Sequence, residues 1–173
     1  MSFTLYSATI PNFLQTLAAL SGVLDKGLQH GKAHGITAET LVETKIAPDM
    51  LPLRFQLLSA VHHSRGAIEG VEKGVFEPPA RRPETTFADL QALVKEAHAS
   101  LERYMPETVN QLVGRDMVFK LGERQLPFKA EDFLMSFSMP NFYFHSTTAY
   151  DLLRMVGVPV GKMDYLGKLR LKR

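Results

Sequence analysis

The sequence predicts an all-α four-helix bundle with a small β-hairpin between its third and fourth helices. Three observations predict it. Four long segments carry apolar residues three and four positions apart, the period of helices with one buried face. The connections between them are modest, which favours helices packed as neighbours around one core. One stretch, 117–130, breaks the helical period and reads as two short β-rich runs.

The first helix follows from Ile10, Phe13, Leu14, Leu17, Leu20, Leu24 and Leu28, with Gly31 and Gly35 marking its end. Pro11 either kinks it or sits in its first turn. Thr37, Glu39 and Thr40 open a turn or two of helix. Asp49 is then the expected N-cap of the second long helix, with Pro52 in its tolerated first turn. Its inward stripe is Leu53, Leu57, Ala60, Val61, Ser64, Ile68 and Val71, and Gly74 is its stop. The proline-rich "FEPPARRPETTF" reads as a loop. Thr86 caps a third helix, and Asp89 three residues on completes a variant of the capping box. Phe87, Leu90, Val94, Ala97, Leu101 and Tyr104 form its core face, and Pro106 is its expected end. The two runs flanking Gly122, Glu123 and Arg124 form the hairpin. The fourth helix starts near Glu131 or Asp132, whose charges suit a helix N-terminus, and runs to Val156 before Gly157 and Pro159. Pro140 lies inside it and should leave the Ser136 carbonyl without its bond and bend the helix.

At 173 residues the chain is long enough for a single domain, 1–173, with a sizeable core. Lys plus Arg number 20 and Asp plus Glu 18, a net charge of +2 that gives no argument for nucleic acid. The locally basic tail of Lys162, Lys168, Arg170, Lys172 and Arg173 reads as a solvated terminus. The absence of cysteine excludes disulfides, a protein thiolate nucleophile and Cys-ligated zinc. The N-terminal residues lack the pattern of a signal peptide, and no apolar run approaches a membrane span. The expectation is a cytoplasmic protein with no membrane contact.

Six histidines are the main chemical interest. Placed at about 100° per residue, they separate. His30 and His34 form an H-x-x-x-H, but both fall opposite the apolar stripe, in the last turn, where a histidine favours the helix dipole. His62 points away from the second helix's stripe, and His63 lies at its edge. His98 is a boundary residue. His145 differs. On its helix Leu134, Ser138, Asn141, His145, Thr148, Ala149, Leu152 and Val156 share a face whose ends are apolar and whose middle is polar. Burying Ser138, Asn141, His145 and Thr148 costs free energy unless they are hydrogen-bonded, to each other, to water or to a ligand. The alternatives are a satisfied core network and a ligand pocket.

The stretch "PNFYFHSTTAYDLLRMVGVPVGKMDYLG", with "APDMLPLRFQLLSAVHHSRGA" and "LYSATIPNFLQTLAALSGVLDK" upstream, resembles a bacterial and fungal family of unknown function in the DinB/YfiT-like superfamily. The resemblance covers nearly the whole chain and implies a DinB-like four-helix bundle, often a homodimer. It also implies a divalent metal, nickel or zinc, held by one histidine of the second helix and two of the fourth. Some members of the superfamily are thiol-dependent transferases or isomerases. Carried over, His63 matches the second-helix histidine and His145 the second histidine of the fourth-helix pair. Asn141 stands where the first histidine belongs. A carboxamide is a weak oxygen donor beside imidazole. No carboxylate on the inner face compensates, since Asp132 lies too near the helix start and Asp151 points outward.

Two functional readings follow. In one the metal is lost or the site degenerate, and Ser138, Asn141, His145 and Thr148 line a pocket for a small polar ligand. In the other His63, His145 and Asn141 hold zinc or nickel in a thiol-transferase-like enzyme whose thiol comes from a cosubstrate. Neither names a substrate.

Overall fold

A computed structural model of the protein describes residues 3–79 and 85–172. The chain is mostly helical. Helix α1 spans Leu5–His34 and α2 spans Ala38–Glu43. Helix α3 covers 53–73 as an α-helix Leu53–Val61, a π-helical turn His62–Gly66 and an α-helix Ala67–Lys73. Helix α4 is Phe87–Leu101 and α5 is Pro106–Asn110. Helix α6 covers 130–155, with a second π-helical stretch, Phe133–Ser138, between Ala130–Asp132 and Met139–Met155. Helix α7 is Lys162–Leu166. Strands β1 (Val75–Phe76), β2 (Asp116–Leu121) and β3 (Arg124–Lys129) form one small sheet in the order β1-β2-β3.

The four long helices pack in a cycle. Helix α1 lies against α4 and α6, and α3 lies against the same two. Their apolar stripes meet in a core that includes Phe13, Leu17, Leu20 and Leu24 from α1, Leu53, Leu57 and Ile68 from α3, and Leu90 from α4. Phe142 of α6 meets Phe13 edge to face, with ring centroids 4.9 Å apart, a preferred aromatic geometry.

Local signals explain most helix ends. Thr4 and Ser7 form a capping box at the start of α1, and Gly35 closes it in the left-handed conformation (φ 71°). Thr37 caps α2 by accepting from the Thr40 N–H. Thr86 and Asp89 form a reciprocal capping box on α4. Two boundaries differ from expectation. Asp49 does not cap α3, which begins at Leu53 with Pro52 in the cap position. The Leu53 N–H instead bonds the Thr44 carbonyl, so tertiary contact sets the start. Helix α4 ends at Leu101, and Pro106 opens α5, where its missing N–H costs nothing. Of the proline-rich loop, 80–84 lie outside the described residues, as does Arg173 of the basic tail.

The hairpin pairs β2 with β3 antiparallel, Asp116 with Lys129 through Leu121 with Arg124. Gly122 turns the chain at φ 60°. Pro127 is accommodated because β3 is an edge strand. The third strand, β1, pairs parallel with β2 through Val75–Val118 and Phe76–Phe119. Two residues are too few to show alternation in the sequence. Phe76, Phe119, Phe128, Phe133 and Phe137 then stack in a chain that fastens the sheet to α6.

Pro140 lies two residues past the end of the π-helical stretch of α6. The Met139 N–H bonds back five residues to the Leu134 carbonyl. The helix thus widens just before the residue that has no N–H to give. Among the described residues no helix is long and apolar enough to cross a membrane.

Candidate functional site

Both π-helical segments face one place. Gln56 and His63 stand seven residues apart on α3, and Ser138 and His145 stand seven apart on α6. The two pairs meet in opposite order. His145 Nδ1 lies 2.8 Å from Gln56 Oε1, and His63 Nδ1 lies 3.4 Å from Ser138 Oγ. The Ser138 hydroxyl also donates to the His63 backbone carbonyl at 2.9 Å. Across this frame the His63 and His145 rings are nearly parallel (15°), with centroids 6.1 Å apart.

Aromatic side chains wall the pair. Phe76 and Phe137 approach the His63 ring at 5.4 and 5.6 Å. Phe55 and Phe144 approach His145 at 5.7 and 5.2 Å. Phe144 and Phe55 remain partly open to solvent, while His63 is buried. Burial holds the His63 ring down to a pKa of about 3, with the neighbouring His62 and His145 rings acting in the same direction. Burial alone holds His145 down to about 4. Both imidazoles are therefore neutral at pH 7, with a lone pair on one nitrogen each.

The other polar residues of this face divide. Ser138 joins the pair. Asn141 does not, because its Nδ2–H donates to the Phe137 carbonyl of its own helix at 2.7 Å, and it makes no hydrogen bond to either imidazole. The Thr148 hydroxyl likewise donates to the Phe144 carbonyl at 2.7 Å. Short polar side chains often close such bonds one turn back. Among the described residues, no three His, Asp or Glu side chains group as metal ligands. The candidate donor set for zinc or nickel is two histidines and the Asn141 amide, whose Nδ2–H is held by its own helix and whose oxygen is a weak donor beside imidazole.

Of the remaining histidines only His62 borders the pair, its ring 5.7 Å from that of His63. His30 and His34 stack on each other at 4.0 Å, with His34 Nδ1 2.9 Å from the His30 carbonyl. His62 stacks on Phe76 at 4.3 Å and bonds the Glu77 carbonyl through Nε2. His98 sits 3.6 Å from Glu102 on its own helix. A cleft of about 420 Å³ opens between α1, α2 and the start of α4, and shares no lining residue with the histidine pair.

Gln56 is the site residue that sequence reasoning missed. It is 2% exposed, and its polar side chain interrupts an otherwise apolar stripe. A buried amide seven residues before a candidate histidine is the signal that would have found it.

A family model described as a domain of unknown function, DUF1993, matches residues 5–166. A crystal structure of a DinB family member protein from Shewanella denitrificans is similar over 98% of this chain and 95% of that chain. The two share 26% sequence identity, with a TM-score of 0.81. No curated protein matches the chain.

Proposed function

The chain belongs to the DUF1993 family of unknown function, and from that premise we propose that it is a DinB-type four-helix bundle that binds a small polar ligand at His63 and His145. The observation that carries this reading is the facing, neutral imidazole pair, 6.1 Å apart, with Asn141 turned to the Phe137 carbonyl. The pair offers hydrogen-bonding nitrogens in an aromatic setting, the usual make-up of a small-molecule site. It lacks the third strong ligand that a tight zinc or nickel centre needs.

A second reading draws on the Gln56–His145 bond. Metal-binding histidines usually hold their other nitrogen against such an acceptor. Here a divalent ion would rest on His63 and His145, with the Asn141 oxygen as a weak third donor, and a thiol cosubstrate would supply what a chain without cysteine lacks.

Metal analysis of protein purified without a histidine tag separates the two. The first reading expects substoichiometric zinc and nickel, and no gain in Tm when either is added. Stoichiometric metal that is lost in His145→Ala overturns it in favour of the second.

A further inference from the structure

Gln56 is buried beside His145, and its side-chain amide has only one self-consistent orientation. Its Nε2–H donates to the Leu51 carbonyl at 2.8 Å. Turned over, the amide would set its own oxygen against that carbonyl, two acceptors face to face. The atom 2.8 Å from His145 Nδ1 is therefore Oε1, which can only accept. His145 must carry its ring proton on Nδ1. The logic repeats at His63. The Ser138 hydroxyl proton is committed to the His63 carbonyl at 2.9 Å, so its oxygen, 3.4 Å from His63 Nδ1, is left to accept. Neither Nε2 atom has a hydrogen-bond partner among the described residues.

We infer that Gln56 is a positioning residue: with Ser138 it holds both imidazoles in the Nδ1–H form, so that the site offers its ligand two Nε2 lone pairs. This deepens the ligand-binding reading and rests on it for the ligand's class alone. Two lone pairs are satisfied by a group that brings hydrogens, such as an ammonium, an amidinium or a carboxamide NH2, or by an electron-pair acceptor. An ionised carboxylate brings only more lone pairs and is refused. The surrounding Phe55, Phe76, Phe137 and Phe144 rings favour a cationic or planar donor over an anion in the same way. Free histidine side chains in water favour the Nε2–H form, so the protein selects the less common one.

The test is the ring-nitrogen NMR spectrum of ligand-free protein at pH 7. Wild type is expected to show His145 with a protonated Nδ1 and an unprotonated Nε2. Gln56→Met removes the acceptor, and signal from the Nε2–H form should appear at His145. Gln56→Glu keeps an acceptor at Nδ1, so the Nδ1–H form should persist while the ring's pKa rises above about 4. A wild-type His145 in the Nε2–H form overturns the inference, as does a folded Gln56→Met protein with unchanged ring shifts. If Gln56→Met fails to fold, wild type and Gln56→Glu decide. No ligand is needed, so a locked ring in a protein that binds nothing would sink the ligand-binding reading and leave this one standing.

Discussion

Two rings that stay neutral deep into the acid range make stability depend on pH in a definite direction. In the folded chain His63 takes up a proton only near pH 3 and His145 only near pH 4, whereas the unfolded chain protonates both near the ordinary value of 6.5. Below pH 6.5 the unfolded state binds more protons. The stabilisation is complete above pH 6.5 and is lost as pH falls through about 4 and then about 3. Each ring adds a slope of at most about 1.4 kcal/mol per pH unit. Urea midpoints measured from pH 7 to pH 4 should fall, and His145→Gln should flatten that fall. An unchanged slope would show that His145 is not held neutral by the fold. At this scale the sequence spoke through phase. The period of 3.6 set His30 and His34 aside and turned attention to His63 and His145. It placed Asn141 and Thr148 on the same polar face but could not tell that each bonds its own helix, because a side chain that folds back on its own helix carbonyl occupies the same phase as one reaching across.

Among the elements, α4 has the most legible start. Thr86 Oγ1 accepts from the Asp89 N–H, and Asp89 accepts from the Thr86 N–H at 2.9 Å. The Thr86 hydroxyl, donating to the Asp89 carboxylate at 2.7 Å, and the Thr86 N–H keep that carboxyl below its usual range. Thr86→Ala should cost about 1 kcal/mol, read as a lower Tm without loss of helix content in the remaining chain. Asp89→Asn, which keeps an acceptor, should cost less. Elements fixed by distant partners were not legible. Helix α3 starts where Leu53 reaches Thr44, not at the better capping residue Asp49, and β1 exists only because β2 lies beside it. The π-helical turn of α3 belongs to the same class. Nothing in "HHSRG" announces it, and it forms where α3 meets α6 through His63 and Ser138.

For the molecule as a whole, the core and the site draw on different faces of the same helices. Phe13, Leu57 and Phe142 hold α1, α3 and α6 together, while Gln56, His63, Ser138 and His145 meet along the contact between α3 and α6, with Phe76 of β1 against His63. The π-helical turns carry a consequence for chain length. Such a turn holds one residue more than an α-helical turn between the same flanks. Removing one residue there restores the regular helix and leaves both flanks facing as before. Removing one elsewhere turns everything beyond it by about 100° and drives apolar side chains into water. A chain with Arg65 deleted should therefore keep its helical circular dichroism and melt cooperatively, while one with Leu58 deleted should not. The same Arg65 deletion should displace His63 from Ser138. A chain one residue shorter at 62–66 would then keep the scaffold while its His63 no longer meets Ser138.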